Sequence, residues 1–229
     1  MTSRKIGLLG GTFDPVHNGH LQLAESALKE YRLEKVVFIP SAQPPHKKCD
    51  SITSFSHRMA MLTLAGQSVK GFECNAIEGI LPKPSYTIDT LRELRRHYQT
   101  DCQLYFIIGA DAFLDILTWK AHQEVLRSVH ILLSGRKGYK SAQLFDLLKK
   151  LGYKAHENSW YGRDAKKDIY LLNKTPEEHS SSAIRNMIEK GESVHRLIPQ
   201  SVLQYIQENK IYQSEKAGEA TSNQKDYLG

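Results

Sequence analysis

One glycine-rich segment constrains the fold of this chain more than any other: Gly10-Gly11-Thr12-Phe13-Asp14-Pro15-Val16-His17-Asn18-Gly19-His20. It follows a short, largely apolar run, Lys5–Leu9, that is typical of a buried strand, and it leads into Leu21–Leu28, whose pattern predicts a helix. A strand, a glycine turn and a helix in this order form an anion site, because the glycines let the backbone approach a phosphate and the first helical turn presents N–H groups. The sequence therefore predicts a phosphate site at the end of the first strand.

Two histidines of this segment are candidates for contact with the phosphate. His17 and His20 are three positions apart, so at a helix entrance they share one face and can reach the same group. A tight turn with two surface histidines is the simpler interpretation of such a pair, but it leaves the rest of the segment unexplained. We expect both side chains to be exposed, and their replacement by alanine to leave the fold intact while kcat falls about 10²–10³-fold.

The same segment resembles the signature of the nucleotidyltransferase superfamily, G-x-F-D-P-x-H-x-G-H after the first strand. Every fixed position of that signature is present between Gly11 and His20. Two other phosphate signatures, G-x-x-x-x-G-K-[ST] and G-x-G-x-x-G, do not occur in the sequence. The resemblance implies a Rossmann-like fold and an adenylyl or cytidylyl transfer.

The rest of the chain alternates between strand-like and helix-like stretches. Apolar runs predict further strands at Lys35–Pro40, Phe72–Ile77, Gln103–Ile108, Val129–Leu133 and Asp168–Leu172. Amphipathic patterns predict helices over Phe55–Ala65, from Ser85 through Leu94, over Ser141–Leu151, from Ser180 to a C-cap at Gly191 and from Pro199 to Asn209, whereas Asn158–Lys167 is polar and irregular. This alternation predicts an α/β fold with a doubly wound, mostly parallel sheet and C-terminal helices.

One domain accounts for nearly the whole chain. We expect it to span residues 1–213, followed by a polar, disordered tail over 214–229 that has too few apolar groups to pack. Within the domain, Gly109-Ala110-Asp111 forms a polar turn at the carboxyl end of the most apolar strand, and open α/β sheets bind their ligands at such ends.

A serine-rich segment near the end of the domain is the second candidate for phosphate binding. In Ser180-Ser181-Ser182-Ala183-Ile184-Arg185, a helix start supplies hydroxyl and N–H groups, and Arg185 reaches the same end one turn later with its forked guanidinium. Taken alone, such a segment is more often a plain N-cap with a surface arginine. It is similar, however, to the S-x-x-x-I-R segment with which the superfamily binds the ATP triphosphate opposite H-x-G-H.

The charge of the chain suits polyanionic partners without pointing to nucleic acid. The formal net charge is +6, but the basic residues are spread in pairs such as Arg95-Arg96 and Lys149-Lys150, which is typical of a solvated surface. We expect no membrane association, because no apolar run approaches the ~20 residues that span a bilayer. The first residues run straight into a strand, which predicts no signal peptide, and the 3 scattered cysteines fit a reducing cytoplasm.

The middle of the chain resembles the nicotinate-mononucleotide adenylyltransferases. The matching pieces are Pro44-Pro45-His46-Lys47, Ser85–Leu91, Gly109-Ala110-Asp111 and Trp119, and the likeness extends over about residues 4–212. It implies that the substrates are ATP and nicotinate mononucleotide and that the products are nicotinate adenine dinucleotide and pyrophosphate. Mg²⁺ would arrive with ATP, since the sequence contains no dedicated cluster of carboxylates. The absence of a C-x-x-C pair argues against a structural zinc site.

The resemblance also assigns roles to residues of this chain. The catalytic residues would be His17, His20 and Arg185; the ATP and phosphate ligands would be Gly10, Gly11, Thr12, Phe13, Asp111, Ser181 and Ser182; the nicotinate-nucleotide ligands would be Lys47, Tyr86, Thr87 and Trp119. Trp119 would stack on the pyridine ring, although core packing is the simpler interpretation from the residue alone. Thr87 would receive the carboxylate at a helix start. Lys120 stands where many relatives carry an aromatic residue, so the resemblance implies no second ring contact there.

Three alternatives compete with this hypothesis. Phosphopantetheine adenylyltransferases are much shorter and lack the S-Y-T-x-D-T-L segment, and glycerol-phosphate cytidylyltransferases are shorter still. A nucleotide-binding sensor that has lost turnover is disfavoured by the intact His17, His20 and Arg185. The sequence leaves the oligomeric state open, a homo-oligomer included.

Overall fold

The computed structural model describes residues 3–44, 52–67, 69–98, 102–135, 142–173 and 180–213. Its elements are, in chain order, β1 (Arg4–Gly11), α1 (Asn18–Glu30), β2 (Lys35–Pro40), α2 (Phe55–Gly66), β3 (Phe72–Cys74), α3 (Thr87–Tyr98), β4 (Cys102–Gly109), α4 (Ala110–Leu114), α5 (His122–Ser128), β5 (His130–Ser134), α6 (Ala142–Lys150), β6 (Lys154–His156), β7 (Ser159–Tyr161), β8 (Ile169–Leu171), α7 (Ser181–Glu189) and α8 (Gln200–Glu208). Short 3₁₀ helices lie at Ile77–Gly79 and Ile116–Thr118. Lys47 and the tail predicted over 214–229 lie outside the described residues.

These strands form one sheet in the order β3-β2-β1-β4-β5-β8-β7-β6. Neighbouring strands are parallel from β3 across to β8, whereas β7 runs antiparallel to both of its neighbours, β8 and β6. The chain moves outward from β1 to β3 on one side and then returns to place β4 on the other side. The doubly wound, mostly parallel fold is thus confirmed, and a crevice is expected at the carboxyl ends of β1 and β4, where the strand order reverses.

Apolar cores cover both faces of this sheet. In β4, Leu104, Phe106 and Ile108 contact the core under α3, α5 and α6, whereas Tyr105 and Ile107 contact the core under α1, α2, α7 and α8. A strand buried on both sides must be apolar at successive positions, which explains the continuous run in the sequence. The described residues contain no helix that is both long enough and apolar enough to cross a bilayer.

The structure differs from the sequence-based expectations at three places. The strand predicted over Phe72–Ile77 ends at Cys74, because the side chain of Asn75 accepts a hydrogen bond from the Ile77 N–H and turns the chain. The polar stretch 158–167 contains part of a β6–β7 hairpin whose register is set by the buried Trp160, while all three residues of β6 are exposed. A helix, α4, begins directly at Ala110, where the sequence suggested only a turn.

The end of α7 agrees with the sequence-based expectation. Gly191 follows the last helical residues with a left-handed φ of 72°, as the predicted glycine cap requires.

A buried arginine joins the loops that follow β1 and β2 to the start of α2. The side chain of Arg58 is 1% exposed. Its guanidinium donates to the carbonyl oxygens of Thr53 at 2.8 Å, Thr12 at 2.8 Å and Ala42 at 3.5 Å. Burial lowers the pKa of Arg58, and the nearby carboxylate of Asp14 opposes that shift. Because a buried cation is stable only when its donors are satisfied, these three loops hold one another in place.

We expect Arg58→Met to lower the free energy of unfolding by about 3–5 kcal/mol, since the substitution leaves carbonyl groups and a carboxylate without their buried cation. The matched control is Arg92→Met, which removes an exposed guanidinium paired with Asp89 and Glu124 and should change stability little. Urea denaturation at pH 7 provides the comparison. Equal losses in the two variants would show that Arg58 does not hold the loops.

Candidate active site

The predicted phosphate loop leaves the carboxyl end of β1 and is shaped by an aromatic side chain. Phe13 has a left-handed φ of 51° and is buried, with its ring 5.7 Å from that of Phe38 and 4.9 Å from that of His20, measured between centroids. A Cβ atom added to Gly11 would lie 3.0 Å from the Phe13 ring, so a larger residue would displace it. Phe13, assigned to phosphate binding from the sequence, is 1% exposed. Its side chain packs against the ring of His20 and lines neither of the cavities described below.

The two histidines form a reciprocal cap at the start of α1. The Nδ1 atom of His17 accepts the N–H of His20 at 3.3 Å, and the Nδ1 atom of His20 accepts the N–H of His17 at 3.3 Å. The rings are stacked with centroids 3.6 Å apart. Since each Nδ1 acts as an acceptor, we assign the proton of each neutral ring to Nε2. The pair therefore presents N–H donors from one face, as the spacing of the residues suggested.

The expectation that both histidines are exposed is wrong. His17 is 5% exposed and His20 is partly buried, because the two rings stack on each other and the Phe13 ring packs against that of His20. As an N-cap, His17 also stabilises α1, so its loss should cost about 0.5–2 kcal/mol of folding free energy as well as activity. Burial, followed by the neighbouring His17, holds the pKa of His20 well below its usual value. At neutral pH this ring is a neutral donor.

The serine-rich segment docks directly on the phosphate loop. Ser181, the first residue of α7, donates its hydroxyl to the Pro15 carbonyl at 3.0 Å. Arg185 donates through Nη1 to the Asp14 carbonyl at 2.7 Å and through Nη2 to the Ser182 hydroxyl at 3.4 Å. The arginine side chain remains 30% exposed. The two predicted phosphate segments, more than 160 positions apart in the chain, thus form one continuous surface.

A cavity of about 370 Å³ opens at the carboxyl ends of β1 and β4. Its wall includes the phosphate loop at Gly10, Gly11, Thr12 and His20, and it extends to Thr87 and Trp119. A second cavity of about 320 Å³ adjoins it and shares Thr87 and Trp119. Thr87 is the first residue of α3, so the positive end of that helix faces the cavity. The Trp119 and Phe106 rings pack in a T-shaped arrangement, with centroids 6.3 Å apart.

Tyr86 and Lys120 form the outer wall of the second cavity. The Nζ atom of Lys120 lies 4.6 Å from the centroid of the Tyr86 ring and 2.8 Å from the Asp89 carboxylate. An ammonium group at this distance over a ring makes a cation–π contact. Position 120, where many relatives carry an aromatic residue, is thus occupied by a lysine whose ammonium group packs on the Tyr86 ring at the wall of the pocket.

Sequence reasoning missed several wall residues, among them Glu78, Ser41 and Asp115. Glu78 is 7% exposed and accepts hydrogen bonds from the Thr90 hydroxyl at 2.8 Å and from the Ala42 N–H at 3.3 Å, so it ties α3 to the loop after β2. Ser41 and Asp115 line the wall beside Thr87. Nothing in the local sequence distinguishes these residues from surface polar groups, apart from the position of Ser41 directly after an apolar strand.

Some predicted residues are not part of these walls. Asp111 is exposed on the first turn of α4 and lies outside the walls of both cavities. Lys47 lies outside the described residues. Ser182 is exposed and faces Arg185.

Comparison with known proteins places the chain in a family. The chain matches the cytidylyltransferase-like family over residues 8–187. It is 42% identical over 211 residues to a probable nicotinate-nucleotide adenylyltransferase of Desulfotalea psychrophila, covering 91% of this chain and 100% of that relative. A protein of the same name from Thermoanaerobacter sp. is 37% identical over 212 residues, covering 93% and 96% of the two chains. The chain belongs to the cytidylyltransferase-like family, among its nicotinate-nucleotide adenylyltransferases.

Solved structures of similar fold include the nicotinic acid mononucleotide adenylyltransferase of Plasmodium falciparum. In complex with NaAD it superimposes with a TM-score of 0.70 at 19% identity, covering 91% of this chain and 97% of that protein. In complex with APC the TM-score is 0.68. At this level of identity the likeness shows the shared fold of these adenylyltransferases.

The buried histidine pair predicts how stability depends on pH. An unfolded histidine binds a proton near pH 6.5, whereas His20 in the fold binds one only at lower pH, so lowering the pH below 6.5 favours the unfolded chain. We expect the melting temperature to fall between pH 7.5 and 5.5, and to fall less in His20→Asn, whose side-chain oxygen can still accept the His17 N–H. The pKa of His130 is also lowered by burial, but its effect on stability is the same in the unmodified protein and in His20→Asn. Parallel curves of melting temperature against pH would exclude His20 as a source of this dependence.

Proposed function

We propose that the residues at this crevice carry the transfer of the adenylyl group of ATP to nicotinate mononucleotide, which yields nicotinate adenine dinucleotide and pyrophosphate. One observation supports the assignment above all: a single cavity joins the phosphate loop, with Gly10, Gly11 and His20, to the pocket at Thr87 and Trp119. A nucleotidyl transfer needs its two substrates in one space with their phosphates at the same end. The continuity of the cavity meets this requirement.

The reaction is an in-line displacement at the α-phosphorus of ATP. A phosphate oxygen of nicotinate mononucleotide forms the new bond, and the bond from the α-phosphorus to the bridging oxygen of pyrophosphate breaks. Such a transfer needs little covalent chemistry from the protein, which acts by positioning the reactants and by stabilising the developing charge. In this site the positioning groups are N–H donors and a guanidinium on rigid elements.

The two phosphate segments divide this work. The Nε2–H groups of His17 and His20 donate to the α- and β-phosphates, beside the backbone of Gly10 and Gly11 and the side chain of Thr12. Arg185, the Ser182 hydroxyl and the first-turn N–H of Ser181 bind the leaving pyrophosphate, on which negative charge accumulates. Because His20 is neutral at pH 7, the histidines contribute as directed donors and Arg185 supplies the positive charge.

The far end of the cavity binds the pyridine nucleotide. Trp119 stacks on the pyridine ring, and the first-turn N–H groups of α3 at Thr87 receive the nicotinate carboxylate. Tyr86 closes the pocket together with Lys120. Lys47, which lies outside the described residues, is assigned to the nucleotide by the family resemblance alone. Asp111, exposed at the start of α4, accepts the ribose hydroxyls of a bound nucleotide.

Mg²⁺ binds together with ATP, as the counter-ion of the triphosphate. The described residues contain no group of three or more His, Cys, Asp or Glu side chains placed to hold a metal. Asp14, the carboxylate inside the phosphate loop, is occupied by Tyr212, Thr53 and Arg185. The triphosphate itself supplies the hard oxygen ligands that Mg²⁺ prefers, and it neutralises part of the charge that the protein must otherwise meet.

The substrates and the cysteines support a cytoplasmic location and small-molecule partners. Both are small soluble nucleotides, and the described cysteines Cys74 and Cys102 are free thiols, which fits a reducing cytoplasm. The enzyme works on these small molecules without nucleic acid or membrane, alone or as a homo-oligomer.

The first experiment is the release of pyrophosphate from ATP and nicotinate mononucleotide by the purified chain, with the dinucleotide identified by mass. In the same assay we expect Arg185→Lys to lower kcat/KM for ATP about 10-fold or more, because an ammonium cannot replace the paired contacts of the guanidinium. Lys190→Arg, an exposed cation at the other end of α7, should leave kcat/KM unchanged. An unchanged value for Arg185→Lys would make Arg185 a structural residue only.

The acid end of the substrate gives a second prediction. Hydrogen bonds to a charged group contribute about 1.5–3 kcal/mol each, and a carboxamide would leave backbone donors unpaired, so two such contacts favour nicotinate over nicotinamide mononucleotide by ~10² or more in kcat/KM. Thr87→Val should narrow this gap mainly by slowing the acid, whereas Thr63→Val, at an exposed threonine of α2, should leave it unchanged. Equal kcat/KM values for the two nucleotides in the unmodified protein would overturn the pocket assignment and leave adenylyl transfer intact.

A further inference from the structure

A carboxylate lies inside the predicted phosphate loop. Asp14 is 3% exposed and stands between Phe13, which supports His20, and Pro15, whose carbonyl accepts the Ser181 hydroxyl. A buried negative charge beside a triphosphate site would oppose the binding of ATP unless donors in the protein were directed at it. The groups that contact Asp14 therefore bear on the function of the loop.

Those groups come from three distant parts of the chain. The Tyr212 hydroxyl donates to Oδ1 of Asp14 at 2.6 Å, and the Thr53 N–H donates to Oδ2 at 3.3 Å. The Nη1 atom of Arg185 lies 3.8 Å from Oδ2 and donates to the Asp14 carbonyl at 2.7 Å. The shortest contact to the carboxylate is thus the one from Tyr212, and the cation proposed to bind pyrophosphate rests on the same residue.

Tyr212 reaches this position from the end of the domain. It follows α8, its φ of 63° is left-handed, and its hydroxyl bonds to a residue 198 positions earlier. It also hydrogen bonds with the side chain of Thr53. Burial raises the pKa of Tyr212, so the hydroxyl keeps its proton and stays a donor at physiological pH.

We propose that Tyr212 is a positioning residue of the phosphate site: its hydroxyl orients the Asp14 carboxylate, and Asp14 in turn holds Arg185 and the phosphate loop in the geometry that receives ATP. This inference rests on the proposed function, because it assigns ATP to that loop. It predicts a loss confined to the ATP side of the reaction, since Tyr212 contacts Asp14 of the phosphate loop, which also contacts Arg185, whereas the pyridine nucleotide is assigned to the pocket at Thr87 and Trp119.

A purely structural hydroxyl is the competing explanation, and the chain offers a matched control for it. Tyr205 lies on α8 and its hydroxyl hydrogen bonds with Nδ1 of His57 at 2.9 Å, which joins α8 to α2 without contact to Asp14. Tyr212→Phe and Tyr205→Phe each remove one partly buried hydroxyl from the same end of the chain. Any difference between them in catalysis reports the Asp14 contact.

The experiment measures initial rates of pyrophosphate release by the full chain, varying ATP and nicotinate mononucleotide separately. We expect Tyr212→Phe to lower kcat/KM for ATP about 10-fold, as the loss of a hydrogen bond to a charged group requires, with the KM for nicotinate mononucleotide changed less than about 2-fold. Tyr205→Phe should leave kcat/KM for ATP and the KM for nicotinate mononucleotide within about 2-fold of their values in the unmodified protein. Its melting temperature should fall by about as much as that of Tyr212→Phe. Equal kinetic effects of the two variants, or equal changes toward both substrates in Tyr212→Phe, would overturn the proposal.

A double-mutant cycle tests the route through Arg185. If Tyr212 acts through Asp14 on Arg185, the combined Tyr212→Phe and Arg185→Lys variant loses less kcat/KM for ATP than the product of the single losses. If the two residues act independently, the two fold-losses multiply, and that result contradicts the proposal.

If Tyr212→Phe fails to fold, Asp14→Asn tests the same link, since it keeps an acceptor for Tyr212 but removes the charge that faces Arg185, and an ATP-selective loss is again expected. An unmodified chain that releases no pyrophosphate contradicts the proposed function. An active chain in which Tyr212→Phe behaves like Tyr205→Phe contradicts only this inference.

Discussion

The buried guanidinium of Arg58 is the interaction on which the site depends most. It bonds to carbonyl groups of three separate loops, at Thr12, Ala42 and Thr53. A buried charge is tolerated only when its hydrogen bonds are made. Movement of any of these loops would therefore leave the guanidinium without a hydrogen-bond partner and destabilise the fold. The phosphate loop is thereby fixed relative to the pocket wall at Ala42 and to the segment that contacts Asp14. The crevice is shaped before any substrate arrives.

Such rigidity suits a reaction in which the protein contributes geometry more than chemistry. Stacked His17 and His20 cap α1 and each other, which directs their donors and keeps His20 neutral. Arg185 is held by the backbone of the same loop. Donors that are already oriented need no reorganisation when charge develops on a phosphate, and this is the largest source of stabilisation in most transfers of this kind. The charge on Asp14 is the one unfavourable element of the loop, and the structure surrounds it with donors.

Particular residues show how far sequence reasoning reached. The order strand, glycine turn and helix correctly predicted the local structure from β1 to α1, and the spacing of His17 and His20 predicted that they share a face. Their burial was predicted wrongly, because it depends on the stacking of the two rings and on the contact of the Phe13 ring with His20, which form only in the folded chain. The β6–β7 hairpin was missed because β6 is only three residues long, exposed throughout and without a large apolar side chain, so no pattern of burial marks it in the sequence.

The sequence by itself determined the local geometry: a strand buried on both faces, a turn that needs Gly11, a helix capped from within and a serine-rich helix start. These depend on residues within about one helical turn of each other, and such spacing can be read directly from the order of side chains. Only the tertiary structure decided that Ser181 meets Pro15 and that Tyr212 meets Asp14, across 166 and 198 positions, or that Glu78 becomes a wall of the cavity. Contacts at such separations are fixed by the packing of whole helices on the sheet, and that packing sums many weak contacts that no short pattern records.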